Sequence, residues 1–428
     1  VRLTTPDADP TAQVAAILDR RLLSDAPFPI AVAFSGGGDS LALLLCADAW
    51  ARRTGRDLLV LTVDHGLQPQ SAEWTARCAR VAGDLGRPFA ALTWSVAKPA
   101  RVRPADARAA RHRLLADAAR GAGARVLLMG HTADDVAEAG FMRESGSTTP
   151  SPREWRPSPS WPAGRDLFLL RPLLAQRRRD LRSWLAAQDQ RWIDDPANED
   201  PTYARSRARG ALAKADGPGE HINPVDAHDP GIIRLATAIQ TDAWGGLNVD
   251  RALLHAAPSQ AARSVVGAAC LSASGQSRPP RSDRLARLVD RLQSSEAVAA
   301  TLAGARITAD GERVSFRREA GELKRAGVAP QPLPPGEALV WDGRFEIRAT
   351  EPGLMVRPLS GHAARLPGDQ RRRLAEAPAS VRGALPLIIG GGDGPACPLL
   401  AQVRGVGVRV LPFQRFQAAC GLLVREPT

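Results

Sequence analysis

The side chains best placed for chemistry are Asp39, Asp134 and Asp135, with His131 close to the last two. Asp39 belongs to Ser35-Gly36-Gly37-Gly38-Asp39-Ser40, and the others to Gly130-His-Thr-Ala-Asp-Asp-Val-Ala-Glu138; each stretch ends an apolar run. A strand that turns through glycines into a helix leaves backbone N–H groups unpaired and aimed at one point. The positive end of the helix dipole lies there too, so the turn suits phosphate. Glycines permit positive φ and close approach of an anion to the backbone, and Ser35 and Ser40 add hydroxyl donors. Asp39, Asp134 and Asp135 offer hard oxygens for Mg2+, which is usually held by one or two carboxylates plus phosphate oxygens. The chemistry suggested is a nucleoside triphosphate on a glycine loop with a metal beside it. Plainer roles coexist with this one: a ligand-free turn, Asp39 as partner of a helix dipole, Asp134 as an N-cap, His131 as a hydrogen-bonder at a helix start. The loop is neither a Walker A sequence, which needs Lys-Ser/Thr after its last Gly, nor a Gly-x-Gly-x-x-Gly fingerprint.

The elements that must position these residues follow from hydrophobic periodicity. A leading helix is expected over 11–24. Strands are expected at Ile30–Phe34, Leu58–Val63, Phe89–Trp94 and Ala124–Met129, with helices from Ser40 to Arg53, Ser71 to Leu85 and Pro104 to Arg120. Strands alternating with helices imply an open parallel sheet covered on both faces. The ends of the first, second and fourth strands then share one edge, where such sheets bind ligands. Ser35–Ser40, Asp64–His65 and His131–Asp135 all fall on that edge. Ser145–Pro162, rich in Ser, Thr and Pro with Trp155 and Trp161, reads as a long loop. A strand at Leu167–Leu170 and a basic helix at Gln176–Gln188 follow.

Beyond this point the pattern weakens. Residues 1–215 read as a Rossmann-like α/β domain, 216–327 as a mainly helical domain closed by a hairpin of 305–308 and 313–316, and 328–428 as a small α+β domain. Val328–Pro335 is the expected linker. Gly390-Gly-Gly-Asp-Gly394 repeats the glycine run with no helical pattern after it, so it reads as a hairpin turn.

The net charge is +12 over 428 residues, and only Lys98, Lys214 and Lys324 among the 57 basic residues are lysines. A chain this basic favours a polyanionic partner, although the heavy use of Ala, Arg, Gly and Pro also looks like a compositional bias. The five cysteines are scattered and never Cys-x-x-Cys, which argues against a disulfide framework or a zinc site. No stretch approaches the ~18 apolar residues of a membrane span, and the first residues lack a signal pattern. A cytoplasmic protein with no membrane partner is expected.

Ser35-Gly-Gly-Gly-Asp-Ser40 resembles the Ser-Gly-Gly-x-Asp-Ser loop of the PP-loop pyrophosphatase superfamily. With Val63-Asp-His-Gly-Leu67, Ala107-Arg-Ala-Ala-Arg111, Gly130-His-Thr-Ala-Asp-Asp135 and Glu138, Arg171-Pro-Leu-Leu174, and Asp195-Pro-Ala-Asn198 through Arg209, it is similar to the tRNA(Ile)-lysidine synthetase family over about residues 28–210. That resemblance implies ATP and Mg2+ as cofactors, and free L-lysine and a CAU-anticodon tRNA(Ile) as substrates. ATP adenylates O2 of the wobble cytidine, and the lysine ε-amine then attacks C2 and expels AMP. It implies nucleotide contacts from Ser35, Gly36, Gly37, Gly38, Asp39, Ser40, Asp64 and His65, and metal contacts from Asp39 and Asp135. Catalytic roles are implied for Asp39, Arg108, Arg111, His131, Asp134, Asp135 and Glu138, with Asp135 and Glu138 as candidates to hold the cationic lysine. tRNA contacts are implied for Arg171, Arg205, Arg207 and Arg209. Arg108 and Arg111 share a helix face that can meet phosphates or lie in solvent. The oligomeric state stays open, a homodimer included.

The sequence departs from the family pattern at His112, where a tyrosine is usual, at Phe141-Met-Arg-Glu-Ser-Gly146, and at Ser206 in place of a frequent Asn. Rival readings are another PP-loop adenylating enzyme, such as a tRNA thiolase, a GMP or NAD synthetase or asparagine synthetase, or a non-catalytic nucleotide- or RNA-binding protein. A thiolase usually needs paired cysteines, an amidotransferase would need its own domain ahead of residue 28, and a non-catalytic protein leaves Asp39 and Asp135 without a task.

Overall fold

The computed structural model describes the chain apart from residues 1–8, 67–68, 95–103, 148–150, 196–203, 215–228, 295–296 and 393. The end of the Asp195–Asn198 motif, Tyr203, Leu67 and the expected boundary around 216 therefore lie outside the described residues. The chain divides into two compact units, Val1–Ala227 with Leu423–Thr428, and His228–Leu422.

The first unit begins with α1 (Pro10–Arg21), β1 (Ile30–Ala33), α2 (Gly38–Thr54), β2 (Leu58–Asp64), α3 (Ser71–Asp84) and β3 (Phe89–Thr93). It continues through α4 (Pro104–Gly121), β4 (Val126–Met129), α5 (Ala133–Glu144), β5 (Trp155–Pro157), β6 (Phe168–Leu170), α6 (Arg178–Ala187) and α7 (Ala204–Lys214). The strands order as β3-β2-β1-β4-β6-β5, all parallel except β5. Ile30, Ala31 and Val32 are fully buried, as are Leu44 of α2 and Leu128 of β4, because helices cover both faces of a parallel sheet and its strands must be apolar throughout. Val32 pairs with Val60 on one side and Leu128 on the other. The chain builds outward from β1 to β3, then crosses back to place β4 on β1's free side. This reversal opens a crevice at the carboxyl ends of β1 and β4, which is the edge anticipated from the sequence.

Two features of this unit differ from the sequence reading. Part of the expected loop 145–162 is the edge strand β5, antiparallel to β6. Trp155 is 3% exposed and stacks on Phe168 with ring centroids 4.8 Å apart, so aromatic burial overrides a composition typical of loops; Pro157 is tolerated because the strand is at an edge. The second feature is the return of the last six residues. Glu426 lies under Arg56, Nη2 to Oε1 2.8 Å, with side-chain exposures of 0% and 2%. It also accepts from Leu23 N at 3.0 Å, while its own N–H donates to Arg21 O at 2.7 Å. Trp155 Nε1 donates to Leu423 O at 2.7 Å.

The second unit has α8 (Pro230–Thr237), β7 (Gln240–Thr241), β8 (Leu247–Asp250), α9 (Arg251–Ala256), α10 (Ser259–Ser274), α11 (Ser282–Ser294), β9 (Val298–Leu302), β10 (Ala305–Ala309), β11 (Arg313–Arg318) and α12 (Ala320–Ala326). The expected hairpin is β10–β11, extended into a sheet of order β7-β8-β11-β10-β9. The helices of the 216–327 segment are thus joined by five strands. Val265, Ala269 and Cys270 of α10 share a buried core with Ile307, Phe316 and Val289. Then follow β12 (Gln331–Pro332), β13 (Ala338–Trp341), β14 (Phe345–Ala349), β15 (Met355–Pro358), α13 (Gly368–Glu376), α14 (Ala379–Arg382), β16 (Pro386–Ile389), β17 (Val406–Val410) and α15 (Pro412–Ala419). They form two three-stranded sheets, β12-β15-β16 and β13-β14-β17. The Pro-rich stretch 328–335 is not a free linker, since β12 pairs with β15. Ile388 bridges Ala396 across the second glycine run, in keeping with a turn. No helix among the described residues is long and apolar enough to cross a membrane.

Breaking a buried ion pair by removing one partner costs about 3–5 kcal/mol. Glu426→Ala should therefore lower the unfolding free energy of the first unit by about that much in urea denaturation. A change below about 1 kcal/mol would contradict a structural role for the terminal residues.

Candidate active site

The phosphate loop is built by its own hydroxyls. Ser40 Oγ donates to Gly37 O at 2.9 Å, accepts from Ser35 N at 3.2 Å and lies 3.1 Å from Ser35 Oγ. Gly36 has φ +81°, and a Cβ there would run into the Ile193 side chain, whose backbone N–H donates to Gly36 O at 2.9 Å. Gly37 is the N-cap of α2 and brings no side-chain cap. The first N–H groups of α2 are therefore left for a ligand.

Gly130 brings the two halves of the crevice together. A Cβ on it would lie 3.0 Å from both Asp39 O and Ser40 Cα, so only glycine lets the end of β4 press on the first turn of α2. Beyond it, Thr132 N donates to Asp135 Oδ2 at 2.8 Å and Thr132 Oγ1 at 3.1 Å. Thr132, not Asp134, is the N-cap of α5. Asp134 Oδ2 instead accepts from Arg178 N at 2.8 Å. Arg171 Nε donates to His131 Nδ1 at 3.2 Å, so the imidazole proton resides on Nε2, the nitrogen left for a ligand. Burial, then Arg171 and its neighbouring arginines, hold His131 well below its ordinary pKa of 6.5 and keep it neutral. His112 is pushed down to about 3 by burial and by Arg111, Arg108 and Arg171.

The carboxylates are met by guanidinium groups from α6 and α7. Arg178 Nε donates to Asp39 Oδ2 at 2.9 Å, and its Nη1 is 3.2 Å from Glu138 Oε1 and its Nη2 3.7 Å from Asp135 Oδ2. Glu138, 1% exposed, also meets Arg205 Nε at 3.1 Å and Arg209 Nε at 3.0 Å. Burial raises the Asp39 carboxyl above its usual pKa, against the pull of Arg178. Its Oδ1 is buried with no hydrogen-bond partner. On α4, Arg111 is lowered to about 10 by burial and by Arg108 and Arg205, and its buried Nε has no hydrogen-bond partner. Arg108 is lowered by burial and Arg205. Cations that depress one another in this way leave positive potential for an anion.

The structure thus gathers Ser35–Ser40, Arg108, Arg111, His131, Asp134, Asp135, Glu138, Arg205 and Arg209 around one crevice. Asp64 closes a turn by accepting from Gly66 N at 2.7 Å, and His65 packs edge-on to Trp94 with centroids 6.1 Å apart. Arg207 is exposed. Arg171, grouped with the tRNA-contacting arginines in the sequence reading, is 6% exposed and donates to His131 and Arg153 O. Sequence reasoning missed Arg178 and Ile193. The run Arg177-Arg-Arg179 marked a basic helix but not which arginine turns inward, and Ile193 acts on Gly36 through its backbone.

Two outcomes test this arrangement. Gly130→Ala should cost about 1–3 kcal/mol by overpacking and weaken ATP binding in the same protein, read by urea denaturation and nucleotide titration; an unchanged ATP affinity would mean the contact with α2 is dispensable. A histidine kept neutral in the fold takes up a proton more readily when unfolded, so the unfolded state is favoured as pH falls below 6.5. With its pKa at about 3, His112 withdraws about 2 kcal/mol at pH 5, and His131 acts in the same direction. Melting temperature should be level above pH 7 and fall from 6.5 to 5, with a shallower fall in His112→Gln.

Residues 11–216 match the PP-loop domain family. A tRNA(Ile)-lysidine synthase of Caulobacter vibrioides is 47% identical over 421 residues, covering 97% of this chain and 98% of its own length. The Hyphomonas neptunium protein of that name is 38% identical over 323 residues, covering 72% of this chain and 84% of its own. The one from Mesorhizobium japonicum is 33% identical over 404 residues, 86% and 83% of the two chains. These matches span most of both chains, and the chain belongs to the tRNA(Ile)-lysidine synthase family.

Proposed function

We propose that the crevice adenylates O2 of the wobble cytidine of a CAU-anticodon tRNA(Ile) with ATP and then joins free L-lysine to C2, releasing pyrophosphate and AMP. The observation that carries the site assignment is Asp39 Oδ1: a buried, unpartnered carboxylate oxygen on the first turn of an uncapped helix. That is a fitting ligand for a hard cation bound to phosphate. Asp39 and Asp135 are the carboxylates that would hold Mg2+, which usually takes one or two carboxylates plus phosphate oxygens. When bound, Mg2+ neutralises charge on the leaving pyrophosphate.

The protein's own groups do the rest. The α2 N–H groups and the two serine hydroxyls bind the β- and γ-phosphates, and the loop is preorganised, so little reorganisation accompanies charge build-up. Arg108 and Arg111 meet the α-phosphate and the adenylate. His131 Nε2–H donates to the oxygen that gains charge as the cytidine is attacked or as AMP departs. Adenylation converts a carbonyl oxygen into a good leaving group, after which the ε-amine forms the C2–N bond and sheds a proton. Asp135 and Glu138 are the carboxylates proposed for that ammonium; Glu138 is engaged by Arg178, Arg205 and Arg209 in this state, so its part is first to hold those arginines. Arg205, Arg207 and Arg209 extend the positive surface toward tRNA phosphates, with cytoplasmic tRNA as the partner.

Asp39→Asn should abolish tRNA(Ile)-dependent ATP–pyrophosphate exchange while leaving the protein folded. Retained exchange would remove Asp39 from the metal site.

A further inference from the structure

Arg178 is the first residue of α6, where a cation opposes the helix dipole, and its side chain is 17% exposed. Neither helix stability nor hydration favours it there. Three carboxylates, Asp39, Asp135 and Glu138, hold it there at 2.9, 3.7 and 3.2 Å. Its Nε occupies Asp39 Oδ2 and its Nη2 faces Asp135 Oδ2, the same two carboxylates that the preceding section gives to Mg2+. It leaves Asp39 Oδ1 bare. A guanidinium and a divalent cation do not fully share one carboxylate: Mg2+ binds oxygens at about 2.0–2.1 Å and requires near-octahedral geometry, and two cations so close repel each other.

We propose that Arg178 is a resident counter-ion that occupies the cation-site carboxylates in the nucleotide-free protein, keeps divalent metal weak there, and releases Asp39 to contact the triphosphate when metal and ATP enter together. The inference rests on Asp39 and Asp135 being the metal carboxylates. Its consequence is an order of loading. Free metal must displace a paired guanidinium with nothing to receive it, whereas metal arriving with ATP brings phosphate oxygens that both complete the metal's shell and accept the arginine. Arg178 is a positioning residue, tied to the floor of the crevice by its backbone bond to Asp134 at 2.8 Å while its side chain exchanges partners.

The test is Mn2+ binding to the full-length protein at pH 8, followed by electron paramagnetic resonance without nucleotide, with circular dichroism to verify folding. Arg178→Gln should bind Mn2+ at least tenfold more tightly than the parent protein, and Asp39→Asn/Arg178→Gln should lose that gain. Arg178→Lys, which keeps a charge but offers a single donor point, should show a smaller gain and serves if the glutamine variant does not fold. ATP affinity should fall in both single variants. Unchanged or weaker Mn2+ binding in both would overturn the proposal and make Arg178 a fixed clip. If ATP-dependent Mn2+ uptake is then still lost in Asp39→Asn, the metal assignment stands and only the counter-ion role falls; if uptake is indifferent to Asp39, the metal assignment falls with it.

Discussion

The crevice depends on opposite charges neutralising one another in a small, partly dry volume. Asp39, Asp135 and Glu138 lie together in the crevice, and Arg178, Arg205 and Arg209 are the guanidinium partners the fold supplies. The balance is incomplete on both sides. Asp39 keeps a bare oxygen, and Arg111 keeps a buried donor. Buried polar atoms left without partners have a free-energy cost, and in the proposed function a metal–triphosphate would offset it by bringing both signs of charge at once.

The dominance of arginine over lysine has a physical consequence here. Burial lowers the pKa of any cation, and a lysine amine beside Arg108 and Arg205 would readily lose its proton. Arg111, lowered to about 10, still carries its charge at neutral pH. Guanidinium groups also bridge two carboxylates at fixed geometry, as Arg178 does between Asp39 and Glu138. The crevice thus keeps its positive charge on guanidinium groups rather than on amines.

Contiguous features of the sequence were legible. The phosphate loop, the apolar strands around it and the His131–Asp135 turn are each specified within a few residues, and the crossover rule of parallel sheets brings them to one edge. What stayed hidden is long-range. Arg178 meets a carboxylate 139 positions away, and Arg56 one 370 positions away; no local pattern separates Arg178 from Arg177 and Arg179. The β5 strand was masked by Ser and Pro around a single tryptophan whose stacking on Phe168 decides the matter. In the second unit, the short strand Val298-Ala-Ala-Thr-Leu302 has small residues that fit helix and sheet equally, and antiparallel pairing with β10 settles it.

The proposed reaction joins lysine to an adenylated tRNA base in this crevice. The most direct measurement is incubation of the purified protein with unmodified CAU-anticodon tRNA(Ile), ATP and labelled lysine, with the label located in the tRNA. Label should appear at the wobble cytidine, with one AMP and one pyrophosphate released per lysine joined. Hydrolysis of ATP without label in the tRNA, or label at any other nucleotide, would contradict it.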